Sequence, residues 1–157
     1  MCGGFILFMK DDSYYMSLAL KEALKAEVMD EVPVGAIIVK DGKIVSKGFN
    51  VRESKEDALG HAEIVAIRKA NKKLKSWRLD TCTIYITIEP CIMCGGAIIQ
   101  SRIQKVVYGA KDFKGGCFGS SIDILKADNI NHHPEVMGGV LEEECSKLIK
   151  DYFKKKR

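Results

Sequence analysis

The sequence predicts an α/β fold of three layers, a mixed five-stranded sheet flanked by helices. Three observations carry that expectation. Apolar residues recur at helical spacing in some segments and as β-branched runs in others. The segments come in the order helix, strand pair, then helix and strand in alternation, the order of a mixed sheet covered by helices. The length, 157 residues, suits one domain with a continuous core. That domain is read as residues 12–157, with residues 1–11 as an N-terminal extension.

Asp12 or Ser13 is placed to cap a first helix, and Met16, Ala19, Leu20, Ala23 and Ala26 give it one apolar stripe. Residues 34–40 and 43–49 are strand-like and flank Asp41-Gly42, a dipeptide that favours a tight hairpin turn. Residues 52–60 are polar and read as a loop. A second helix begins near His61 and ends near Lys73. Residues 83–88 are a β-branched run and form a central strand. Pro90 suits the first turn of a third helix spanning residues 91–100. Another strand covers 105–108, and the glycine-rich stretch 111–121 holds no regular element. Residues 135–140 form a short last strand. A final helix over 141–155 presents Leu141, Cys145, Leu148, Ile149 and Tyr152 as its apolar face.

Hydrophobic residues are 46% of the chain and charged residues 29%, a soluble globular balance. No apolar run reaches the roughly 18 residues a membrane span requires. The patch at residues 5–9 is too short for a signal-peptide core and has no basic residue before it. A cytoplasmic protein with no membrane partner is expected, and Met9 is a candidate natural start. Without an export signal the six cysteines are expected to stay reduced. Cys91 and Cys94 have ligand spacing, while Cys2, Cys82, Cys117 and Cys145 read as buried or inert thiols. The formal net charge is +4, and Lys154, Lys155, Lys156 and Arg157 alone equal that surplus. Such a tail either binds a polyanion or is a solvated helix end, and composition does not separate the two.

The chemistry lies in His61-Ala62-Glu63 and, well downstream, Pro90-Cys91-Ile92-Met93-Cys94. These supply one imidazole, two thiolates and one carboxylate. Cys91 and Cys94 are three apart at a helix start, so their sulfurs face the same way where the helix dipole favours negative charge. With His61 they make three ligands for Zn²⁺, and an ion held by three side chains keeps an open position at which a water's pKa falls to about 7. Glu63, two residues from His61, need not ligate. It is placed to take that water's proton, hand it to a ring nitrogen and then protonate leaving ammonia. Each piece alone has a bland reading: a structural zinc half-site, a capping His, a solvated Glu. A structural zinc needs a fourth ligand, and among Cys82, Cys117, His132 and His133 none has supporting local spacing. The string H-x-E…P-C-x-x-C is the known signature of zinc nucleobase deaminases.

Further stretches narrow the match: Glu31-Val32-Pro33-Val34-Gly35-Ala36, Gly48-Phe49-Asn50, His61-Ala62-Glu63-Ile64, residues 83–103, residues 106–112 and Asp151-Tyr152-Phe153-Lys154. From residue 12 to 157 the chain resembles the bacterial tRNA-specific adenosine deaminases, which convert the wobble adenosine of an anticodon to inosine. The resemblance implies a cytidine deaminase-like fold, Zn²⁺ on His61, Cys91 and Cys94, and Glu63 as proton shuttle. It implies that Asn50 hydrogen-bonds the flipped base, against the alternative of a turn-forming Asn. Ala110 and Asp112 become the wall that meets the target nucleotide. Asn131 and His132 fall near the anticodon-loop path, although a solvated loop histidine remains open. Phe153 and the basic residues after it become a helix end that grips the loop. The implied partners are a tRNA anticodon stem-loop and a second copy of the chain. Two other functions share parts of the pattern: a deaminase of a free nucleoside, nucleobase or nucleotide, and a non-catalytic RNA-binding module that uses zinc only to fold.

Overall fold

The computed structural model describes residues 10–157, so the expectations for Met9 as a start and for Cys2 lie outside the described residues. The elements in order are α1 (Asp12–Val28), β1 (Gly35–Lys40), β2 (Lys43–Phe49), α2 (Ala62–Leu74), β3 (Cys82–Ile88), α3 (Ile92–Gln100), β4 (Lys105–Ala110), a 3-10 turn at Ile124–Lys126, β5 (Glu135–Met137) and α4 (Glu142–Lys155). Asp11, rather than Asp12 or Ser13, caps α1, its carboxylate accepting from the Tyr14 N–H at 2.9 Å. Asp12 instead accepts from the Tyr85 hydroxyl at 2.8 Å, tying α1 to β3. Asp41 and Gly42 turn the hairpin with φ of 52° and 74°, both in the left-handed region a two-residue turn of this kind requires.

One sheet runs β2-β1-β3-β4-β5, with β3 at its centre. β1 is antiparallel to β2 and to β3, whereas β3, β4 and β5 are parallel. Side chains alternate across it with period two. Ala36, Ile38, Ile84, Ile86 and Val106 pack under α2 and α3. Ile37, Val39, Tyr85 and Val107 pack under α1 and Cys145 of α4. This is the three-layer, mixed five-stranded arrangement the sequence predicts.

Gly48 sets the seat of α2. A Cβ there would lie 2.5 Å from the Ala62 carbonyl oxygen and 2.8 Å from the Ala66 nitrogen. Only a bare backbone lets the start of α2, where His61 and Glu63 lie, settle this close to β2. β5 is shorter than residues 135–140. It stops at Met137 because Gly138 lies on the Tyr108 ring and Gly139 turns the chain with φ 89°. Among the described residues no helix is long and apolar enough to cross a membrane.

Candidate active site

β2 and β3 run in the same direction, so the helices that follow them start at one end of the sheet. His61 is the N-cap of α2 and Cys91 the N-cap of α3, both with extended backbone. The third helix therefore begins at Ile92, one residue beyond Cys91, and Pro90 stays outside it, its carbonyl accepting from the Cys117 N–H at 2.9 Å. Cys94, three residues on, turns its sulfur toward the same point as Cys91. His61 Nδ1 lies 3.6 Å from Cys91 Sγ and 3.5 Å from Cys94 Sγ. Tetrahedral zinc, with Zn–S near 2.3 Å and Zn–N near 2.05 Å, requires an N···S edge of about 3.6 Å. Both imidazole-to-sulfur edges therefore have the length that ion demands.

Among the described residues no fourth ligand-type side chain joins His61, Cys91 and Cys94. Cys117 packs on α3, so close that a Cβ at Gly95 would lie 2.3 Å from its sulfur, and burial pushes its thiol up to about 12. Cys82 is buried where β3 begins. His132 is engaged elsewhere, and His133 is exposed.

Without an ion the two sulfurs share one proton. The hydrogen bond from Cys94, aided by His61, holds Cys91 down to about 4 against the cost of burial. That same hydrogen bond, together with burial, pushes Cys94 far above the ordinary thiol range. His61 is raised chiefly by its hydrogen bond with Cys91. Glu63, in the first turn of α2 and only 3% exposed, is pushed up first by desolvation, with the negative Cys91 adding to it. Its own backbone N–H and His61 pull the other way without prevailing. A carboxyl with raised proton affinity beside a metal-sized triangle is poised to carry a proton.

These groups face a cavity of about 230 Å³. Val32, Val34, Ile88 and Ile149 supply its apolar wall, while Asn50, Glu63, Asp112 and Phe153 meet at it. The Asn50 carboxamide oxygen accepts from the Arg52 N–H at 3.1 Å, and its nitrogen donates to the Val32 carbonyl at 3.2 Å. Asn50 is thus turn-forming and pocket-lining at once. One N–H and one lone pair of the amide remain for a ligand. Phe153 is 46% exposed and brings the end of α4 to the rim.

Three expected site residues stand elsewhere. Ala110 ends β4 one layer behind the wall, packed in the cluster under α1, and its carbonyl accepts from the Glu89 N–H at 2.8 Å. Asp112 lies beyond the end of the strand, in the loop shaped by Glu89, and reaches the cavity. Asn131 and His132 are not brought to this pocket. They approach β5, which pairs with β4 from its N-terminal end, and His132 Nε2 lies 2.7 Å from the Ile103 carbonyl. Within one chain that is the opposite end of the sheet.

Two carboxylates escaped the sequence reading. Glu89, 1% exposed, lies in the pocket wall and accepts from the backbone N–H groups of Asp112 (3.3 Å), Phe118 (3.0 Å) and Ser120 (3.2 Å). It shapes the loop that carries Asp112. Glu31, also 1% exposed, accepts from the N–H groups of Glu53 (3.0 Å) and Ser54 (2.6 Å), ordering the loop between β2 and α2. The one available signal was an acid abutting an apolar strand or a proline, as in Ile88-Glu89-Pro90.

Such a constellation, with a His/Cys/Cys group able to hold a metal, is that of a hydrolytic deaminase. The MafB19-like deaminase family model matches residues 10–157. The tRNA-specific adenosine deaminase of Bacillus subtilis is 46% identical over 149 residues, covering 95% of this chain and 92% of that one. The solved structure of a tRNA:A34 deaminase, described for A-to-I editing at the wobble position, superposes with a TM-score of 0.84 at 39% identity, over 86% of this chain and 98% of the other. A guanine deaminase from Nitrosomonas europaea shares the fold, with a TM-score of 0.73 over 89% of this chain and 83% of that one, at 22% identity. The chain belongs to the deaminase family, and within it to the tRNA-specific adenosine deaminases.

Proposed function

We propose that this chain is a hydrolase that converts adenosine to inosine at the wobble position of a tRNA anticodon. The observation that carries the reading is Glu63, buried beside the His61, Cys91 and Cys94 triangle, at the floor of a pocket rimmed by Asn50 and Phe153. His61 Nδ1 and the two sulfurs are the groups that would hold Zn²⁺. When bound, that ion supplies Lewis-acid activation of water.

The chain's own residues do the rest. The target base leaves its stack, at a cost lowest for a base already unpaired in a loop. Phe153 offers it an aromatic face, and the remaining N–H and lone pair of Asn50 meet its edge. Glu63 accepts a proton from the attacking water and delivers it to N1 as the C6–O bond forms. It then takes the proton of the new C6 hydroxyl and delivers it to the departing amine, as the C6–N bond breaks and the C6 carbonyl forms. Water and adenosine give ammonia and inosine. Lys154, Lys155 and Arg157 are exposed at the end of α4 for phosphates, while Lys156 is drawn back to Asp30 at 2.5 Å.

The same reading takes residues 12–157 as one deaminase domain that acts in the cytoplasm as a homodimer. The test is incubation with an anticodon stem-loop bearing A at the wobble position, beside free adenosine, cytidine and guanine, with inosine and ammonia measured. Inosine in the stem-loop alone is expected. Turnover of a free base or nucleoside alone transfers the activity to the small-molecule deaminases, and bound zinc without turnover of anything leaves a zinc-stabilised RNA-binding module.

A further inference from the structure

We propose a second RNA-binding surface at the end of the molecule remote from the pocket, centred on Trp77, which stacks an unpaired base and holds nearby phosphates of the substrate tRNA. It rests on the tRNA reading above. Between residues 64 and 79 the chain has no acid and six cations: Arg68, Lys69, Lys72, Lys73, Lys75 and Arg78, all exposed. With the four at the C-terminus they far exceed the formal net charge of +4. The rest of the chain is therefore net acidic, and positive charge is gathered at two places rather than at the tail alone. Among the described residues only Arg78 of these six is ion-paired, to Asp80.

Trp77 stands in this field 59% exposed. The guanidinium groups of Arg78 and Arg102 lie 5.3 and 5.9 Å from its ring centroid. The frame behind the indole is fixed. Asn71 Nδ2 donates to the carbonyls of Ser76 and Trp77 at 3.0 and 3.2 Å. Leu79 is fully buried, with its N–H on the Ser101 carbonyl at 2.7 Å. Arg102 is held by the carbonyls of Ile99 and Gln100, and Arg78 is forked onto Asp80. An aromatic face presented rigidly among cations, of which Arg78 alone is ion-paired among the six of residues 64–79, is the arrangement that takes a base together with its flanking phosphates.

A lipid surface fits less well, because Asp80 is embedded beside the single apolar group. An acidic protein would use the charges but leave the exposed indole without a role. Trp77 precedes β3 and Arg102 precedes β4, so the patch lies one strand length, roughly 20 Å at about 3.3 Å per residue, from the pocket. It cannot touch the reacting base.

The test compares wild type, Trp77→Ala and the double variant Lys72→Glu with Lys73→Glu on full-length tRNA bearing A at the wobble position. Affinity, steady-state kinetics and sedimentation are measured across a salt series. We expect Trp77→Ala to raise Kd and KM about tenfold, the order one stacked base supplies, without a proportionate loss of kcat. The charge-reversed variant is expected to flatten the slope of log K against log salt by about two. Unchanged Kd and salt slope, with wild type still making inosine, would overturn the proposal. So would a change of oligomeric state in Trp77→Ala, which would make the patch a contact between copies. Wild type that binds tRNA through Trp77 yet makes no inosine would overturn the deaminase reading and leave this surface standing.

Discussion

Glu31 and Glu63 are both almost without solvent exposure, at 1% and 3%, yet Glu63 lies far deeper among protein atoms and their proton affinities move in opposite directions. Desolvation penalises the charged form of both. At Glu31 the N–H groups of Ser54 and Glu53, with Arg52 nearby, outweigh that penalty and hold the carboxyl below the usual carboxylate range. At Glu63 the neighbours are sulfurs and an imidazole, the negative Cys91 reinforces the penalty, and the carboxyl is raised. Low solvent exposure alone therefore does not decide what a carboxylate does here. At Glu31 backbone donors prevail and hold an anion that orders a loop, whereas at Glu63 deep desolvation prevails and the proton is held more tightly.

The largest test of that contrast is Glu63→Gln, which keeps shape and removes proton transfer. A fall in kcat of about 10³-fold is expected, with tRNA affinity and metal content retained; turnover near wild type would remove Glu63 from the mechanism. Glu31→Gln addresses the other side. It sets an amide N–H₂ against backbone donors and should cost about 2 kcal/mol, a Tm lower by about 4–8 °C for a chain of this size. An unshifted Tm would mean that the loop after β2 is held by something else.

The pH dependence has a definite sign. Glu31 has a lower pKa folded than unfolded, so its contribution is full above the unfolded value near 4.3 and is lost as pH falls through the folded one. Urea midpoints of wild type and Glu31→Gln should differ at pH 7 and draw together as pH falls below the unfolded value; parallel curves would contradict the assignment. The finest test lies inside the metal triangle. After chelation, iodoacetamide at pH 6 should label Cys91 well before Cys94, because one is held as thiolate and the other keeps the shared proton. Equal labelling by mass spectrometry would refute that sharing.

His61, Glu63, Cys91 and Cys94 were legible because their spacing is local and each group follows a strand that ends at the same sheet edge. Glu31 and Glu89 were not, since their partners are backbone N–H groups 22 to 31 residues away. A side chain's residue type says nothing about a loop folding back onto it. The position of Asn131 and His132 depends on how β5 registers on β4, a non-local pairing that the local pattern does not encode. The contiguous basic tail drew notice, while the cations of 68–78 were hidden by interleaving with the apolar residues of a helix. The third helix was misjudged by one residue because Pro90 and Cys91 keep extended backbone ahead of it.

The two N-cap positions carry a cost of their own. At His61 and Cys91 an Asp or Ser would ordinarily satisfy free amides of the first turn, yet neither residue makes a side-chain cap bond. His61→Asp or Cys91→Ser would add about 1 kcal/mol to the metal-free fold while deleting a corner of the triangle. A library of this chain selected for heat resistance with metal withheld would therefore drift toward sturdier, inert scaffolds through these two positions, a drift that metal binding to the folded state opposes.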